Sequence, residues 1–255
     1  MKYFIFADLK FEEGFFSSNH KKRLIKLDQI DDDQSICFVI PNEVLKHTYH
    51  ESSIKNKQNL YNYSYGSSNE PERFTKKAGE DLISHWSKVY KIPFISLRLF
   101  NVYGTRSRTS GTYGAVFGVF LAQKLSKKPF TIVGSGKQKR DFTYVSDVVK
   151  AMIKASKSRI KNEILNVGSG STVSILKIAK LLGGKKVFIR KRPGEPDITF
   201  ADISKIKKKL NWKPNIKIEQ GVSFLLDNID YWKNAPVWTP KKITKVTKLW
   251  FKYLG

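Results

Sequence analysis

Leu97-Arg98-Leu99-Phe100-Asn101-Val102-Tyr103-Gly104 opens the stretch 97–147 on which the reading of this chain turns. The stretch continues through Ser110-Gly111-Thr112-Tyr113-Gly114 to Gly134-Ser135-Gly136-Lys137-Gln138-Lys139-Arg140-Asp141-Phe142. An apolar run ending in a polar residue and a glycine turn is how a buried strand delivers side chains to a ligand cleft. A second glycine turn then leads to an arginine, a residue suited to an anionic ligand.

Upstream of this stretch, Phe74, Ala78, Leu82, Trp86 and Val89 recur every three or four residues and predict an amphipathic helix that Pro93 ends. A strand over 94–100 follows. Helix then strand, with Asn101 just past the strand end, is half of a βαβ unit, and in open α/β sheets ligands sit beyond such strand ends. Downstream, the pattern predicts helices over 116–125, 145–155, 174–182, 203–210 and 220–229, with strands over 164–167 and 187–190. Gly183-Gly184 stops the third of these helices, and Arg192-Pro193-Gly194-Glu195 reads as a turn. After Pro240, apolar residues alternating with lysines predict a terminal helix docked on the body, in preference to one lying on a membrane. Toward the start, 2–6 and 36–40 read as strands, and Tyr61, Tyr63 and Tyr65 alternate as in a third.

The chain has 255 residues, 40% of them apolar, which is enough for a sizeable core. Its single cysteine, Cys37, excludes an intramolecular disulfide and fits a reducing compartment, so a cytoplasmic location is expected. The apolar stretches are too short to span a bilayer, and the first residues lack the pattern of a secretory signal. No metal-ligating cluster stands out. The net charge of +25 favours polyanionic partners. Only nine of the 47 basic residues are arginine, and no nucleic-acid motif accompanies them. A lysine-rich solvated surface is therefore the preferred reading over specific nucleic-acid binding.

Taken in order, Leu97–Gly104, Ser110–Gly114, Arg140–Asp147, Asn166–Gly170, Arg192–Glu195 with Ala201-Asp202, and Asn211-Trp212-Lys213-Pro214 resemble the extended short-chain dehydrogenase/reductase family. The likeness is to its NAD-dependent nucleotide-sugar epimerases and dehydratases, above all the UDP-glucose 4-epimerase branch, and it covers about residues 72–255. It implies an α/β fold: a Rossmann-like parallel sheet, incomplete at its N-terminal part, with a smaller C-terminal α+β substrate lobe. The expected division is 1–104 for the reduced NAD-binding part and 105–255 mainly for the substrate lobe, with strand 164–167 returning to the Rossmann sheet. A UDP-sugar or other nucleotide-sugar is the implied ligand, NAD the implied cofactor, and a homodimer the implied assembly.

The resemblance puts Asn101, Arg140 and Arg192 on the nucleotide's phosphates and Glu195 near its ribose. Guanidinium forks suit phosphate oxygens, and an amide can donate where a carboxylate would repel. Bland alternatives stand beside these roles. Asn101 could cap the strand-end turn, Arg140 could pair with Asp141 or Asp147, and Arg192 with Asp197. The family's chemistry pairs a tyrosine base with a lysine one helical turn later. Aligned on Thr75-Lys76 and Gly79-Glu80, Lys76 occupies the lysine position and Glu72 stands where the tyrosine is expected. Glu72 and Lys76 also read as an i,i+4 ion pair, the preferred interpretation. Ser64 is the nearest candidate for the assisting hydroxyl. In Glu13-Gly14-Phe15-Phe16-Ser17, only Gly14 matches the glycine-rich dinucleotide loop, with Phe11 and Ser17 at the other glycine positions. Asp28 is the candidate ribose-binding acid.

Overall fold

The computed structural model describes residues 4–6, 36–41, 70–107, 116–193, 195–248 and 251–252, with side chains from residue 79 onward. Gly14, Asp28 and Ser64, like the tyrosines at 61, 63 and 65, lie outside the described residues.

Four strands, Phe4–Phe6, Ile36–Pro41, Phe94–Leu99 and Glu163–Val167, form one parallel sheet in that order. Phe94–Leu99 is central and buried along its whole length, as its unbroken apolar pattern predicts. The register sets Phe38 beside Ser96 and Leu97 beside Leu165. Alternation then sends odd and even positions to opposite faces. On the odd face, Ile95, Leu97, Leu99, Leu165 and Val167 pack against Val148, Ala151 and Ala155 of helix Val145–Lys157 and Ile206 and Leu210 of helix Ser204–Leu210. On the even face lies helix Glu70–Tyr90.

That helix forms where periodicity predicts it, but it docks by another side. Leu82, Trp86 and Val89, expected to face the core, are 49%, 43% and 57% exposed. Glu80, Ile83 and Ser87 are buried instead. The reason is polar. Arg98 Nε donates to Glu80 Oε2 at 2.9 Å and Arg98 Nη2 to Oε1, both residues being almost fully buried. Ser87 Oγ donates to Asn162 Oδ1 at 3.0 Å. A buried bidentate ion pair specifies how two elements meet, because any other docking leaves one charge uncompensated in the core.

A second cluster lies beyond the sheet. Strands Phe130–Val133 and Lys186–Ile189 pair in parallel, covered by helices Val116–Leu125, Ile175–Leu182 and Ile218–Asp227. Tyr103 stacks on Phe117 with ring centroids 4.6 Å apart, and Phe120 stacks on Phe130 at 4.8 Å. The helix after Pro240 is docked by Ile243. The two cores do not part at residue 104. Residues 145–167 and 201–212 belong to the sheet's core, so the chain passes back and forth between the clusters.

Arg98→Ala is expected to cost about 3–5 kcal/mol, because it strands the buried Glu80 carboxylate. The double change Glu80→Leu with Arg98→Met should recover most of that loss, read as urea midpoints.

Candidate functional site

The carboxyl end of strand Phe94–Leu99 is where the chain gathers polar groups from distant segments. Asn101 lies two residues past the strand, and its backbone carbonyl accepts from Thr143 N at 3.3 Å. Its side-chain oxygen accepts from Thr199 Oγ1 at 3.2 Å. Thr199 N in turn donates to the Lys139 carbonyl at 3.1 Å, and Lys139 N to the Asp197 carbonyl at 2.7 Å. Asn101, the 139–143 segment and the 195–199 segment are thus stitched into one unit.

Arg140 sits in this unit, buried. Its Nη1 donates to the Lys139 carbonyl at 2.9 Å, and its Nη2 reaches Glu195 Oε1 at 3.4 Å. The partner carboxylate is therefore Glu195, neither Asp141 nor Asp147. At that distance the pair is loose. Burial lowers the pKa of the Arg140 guanidinium, Glu195 opposes this, and Arg192 nearby lowers it further. Two guanidinium groups, Arg140 and Arg192, and two carboxylates, Glu195 and Asp197, thus lie within one another's field. Asp197, the acid next in line, is held by Lys191 at 2.8 Å.

What positions Arg140 is its neighbour, Asp141, which is wholly buried. Its Oδ1 accepts from Ser169 N at 2.6 Å, and its Oδ2 accepts from Gly170 N and Ala201 N, both at 3.1 Å. Burial pushes this carboxyl up, while the three N–H donors pull it back toward ionisation. A Cβ on Gly168 would run into that of Ala201 and come within 3.0 Å of the Asp141 carboxylate, so the bare glycine backbone is what permits this approach. Asp147 repeats the device one segment on: its Oδ2 accepts from Asn215 N and Ile216 N, each at 2.8 Å. The sequence offers both aspartates as possible partners for Arg140. The signal for Asp141 was Gly168-Ser169-Gly170, a run of bare amides that needs an acceptor.

A cavity of about 200 Å³ lies beside Glu195, lined among others by Gly134, Lys137, Lys139, Lys191 and Asp197, and neither Arg140 nor Arg192 lines it. It is smaller than the roughly 300–1,000 Å³ usual for a whole small-molecule ligand, so it accommodates part of one. Among the described residues there is no metal-binding cluster and no helix long and apolar enough to cross a membrane.

Lys76 and Glu72 lie on helix Glu70–Tyr90, toward its N-terminus. The short connection 91–93 makes that helix run back along strand Phe94–Leu99, and Glu80 meets Arg98 midway. Lys76 is therefore displaced from this contact by about 6 Å along the helix, toward the same end of the sheet as Asn101. Tyr103, on the short strand Val102–Tyr103 after Asn101, is buried, and its hydroxyl has no hydrogen-bond partner among the described residues. Burial first, then Tyr144, Asp147 and Glu219, hold its phenol well above the usual tyrosine range.

Residues 48–168 match the model of the NAD dependent epimerase/dehydratase family. The chain is 38% identical over 160 residues to an uncharacterised UDP-glucose epimerase of Bacillus subtilis, spanning 60% of this chain and 49% of the relative. It is 35% identical over 178 residues to the UDP-glucuronate 4-epimerase of Thermodesulfobacterium geofontis, spanning 66% and 54%. Among solved structures, the UDP-glucuronic acid 4-epimerase of Bacillus cereus, in complex with UDP-glucuronic acid and NAD, matches with a TM-score of 0.65 at 29% identity. That match covers 80% of this chain and 64% of the other. The chain thus spans about half the length of the curated relatives it matches.

Asp141→Asn should cost about 2 kcal/mol or more, because an amide offers one acceptor oxygen where three backbone N–H groups need two. Equilibrium unfolding in urea measures it.

Proposed function

Because this chain is a relative of the NAD-dependent epimerase/dehydratase family, we propose that it binds a UDP-sugar and acts on it in the manner of a 4-epimerase, by transient oxidation at the sugar C4. Arg140 and Arg192 take the diphosphate, and Asn101 donates to it. The observation that carries this reading is the buried Arg140, which holds Glu195 only at 3.4 Å and lies within the electrostatic reach of Arg192 on a separate turn. A phosphate entering there exchanges with Glu195 on Arg140, since a doubly charged diphosphate is the stronger partner. The released Glu195 is then an acceptor for a ribose hydroxyl.

NAD is the cofactor this relationship implies, and when bound it supplies the hydride acceptor. Lys76 would hold it, on a helix whose N-terminal part lies toward the carboxyl end of four parallel strands. That placement fits a dinucleotide site. In the same reading Glu72 takes the place of the proton-accepting tyrosine, although an unperturbed carboxylate is a far weaker base than a phenolate. Tyr103 is no substitute, because burial keeps its phenol protonated. A second reading is a sugar-nucleotide-binding relative without turnover. A homodimer belongs to the proposal, with the exposed Leu82, Trp86 and Val89 as its apolar face. So does a cytoplasmic location, on the single cysteine.

Calorimetry with UDP-glucose and NAD tests the site. Wild type is expected to bind UDP-glucose, and Arg140→Ala to weaken it by about tenfold or more, the loss of a charge-assisted hydrogen bond. Equal binding by the mutant, or none by wild type, overturns the arginine site. Glu72→Tyr separates the two readings. Gain of UDP-glucose/UDP-galactose interconversion with added NAD supports an epimerase lacking only its base, and continued inactivity favours the binding protein.

A further inference from the structure

Helices Val145–Lys157 and Ser204–Leu210 lie side by side on the odd face of the sheet and turn their outer sides to one common solvent face. Together they carry seven lysines against a single acid, Asp147, which is buried, accepts from Asn215 and Ile216, and pairs with one of the seven, Lys150, at 3.5 Å. Lys154 bridges the two helices by donating to the Leu210 and Asn211 carbonyls. Lys205 and Lys209 hold Glu163, at 2.7 and 2.8 Å. Lys207 and Lys208 point away from the core that Ile206 and Leu210 enter. Amid this charge, Val149 and Ile153 stand one turn apart on the outer side of the first helix, each 45% exposed.

We propose that this face docks on an anionic lipid surface. The composition separates that partner from a nucleic acid. Neither helix carries an arginine for bidentate phosphate or base contacts, or an aromatic ring for base stacking. Exposed aliphatic side chains ringed by lysines suit a bilayer instead. The ammonium groups meet the headgroup phosphates while the two aliphatic chains enter the boundary layer. Attraction grows with each lysine that reaches the surface potential. The inference uses neither the arginine site nor the sheet's carboxyl end, and it stands whether or not the chain turns over a sugar nucleotide.

Vesicle co-sedimentation decides it. Phosphatidylcholine vesicles containing about 30% phosphatidylserine should pellet the protein, pure phosphatidylcholine should not, and salt raised to about 0.5 M should release it. Lys207→Glu with Lys208→Glu should weaken partitioning by about tenfold or more, and Val149→Ser with Ile153→Ser should weaken it at constant charge. The control is Lys185→Glu with Lys186→Glu, which removes the same charge from exposed positions on a different element. It should partition as wild type does. Circular dichroism melts confirm that each variant folds. The proposal is overturned if the control pair weakens binding as much as Lys207→Glu with Lys208→Glu, since net charge alone would then account for it. It is equally overturned if vesicles are not bound, or if duplex or single-stranded DNA displaces them at lower concentration.

Discussion

The Asp141 carboxylate is the constraint on which the site rests. Three backbone N–H groups from two segments, 169–170 and 201, end on its two oxygens inside the protein. Arg140 is the next residue back, and Arg192 lies a few residues before the 199–201 segment that Asp141 anchors. One buried acid thereby ties the segment that carries Arg140 to residues 169–170 and 201. The arrangement has a cost, since burying a carboxylate is unfavourable until its lone pairs are filled. Here they are filled by amides that would otherwise lack partners at the end of strand Glu163–Val167, so each side satisfies the other.

A second buried charge orders the opposite face. The Glu80–Arg98 pair ties helix Glu70–Tyr90 to the central strand at one register. The helix's most apolar side is turned outward as a consequence. Replacing such a pair by apolar residues is often neutral for stability, so its evident effect is on which arrangement forms. That arrangement carries Lys76 toward the end of the sheet where Asn101 lies.

The large positive charge reads differently once it is distributed over a surface. Much of it lies on exposed side chains, where an isolated ion pair contributes little. Several lysines nonetheless spend their charge on structure. Lys154 closes the end of a neighbouring helix, and Lys205 with Lys209 hold Glu163 below the usual carboxylate range through their hydrogen bonds. Composition could not distinguish these from lysines that face only water.

The elements themselves were legible along the chain because their causes are local. Helix Val116–Leu125 begins and ends where its apolar pattern does, and Gly183, in a left-handed conformation, stops helix Ile175–Leu182 as expected. Asn101 and Arg140 stood out for local reasons too, the one ending an apolar strand and the other following a glycine turn. What a side chain meets across the fold was not legible. Arg140 pairs with Glu195, 55 residues away, and not with the acid beside it, while Glu80 outranks the leucine and tryptophan next to it in choosing the buried side. Sequence specifies periodicity and turn chemistry, which depend on near neighbours. Only tertiary structure decides which charges are buried together, because that depends on which distant partner can fill a given lone pair.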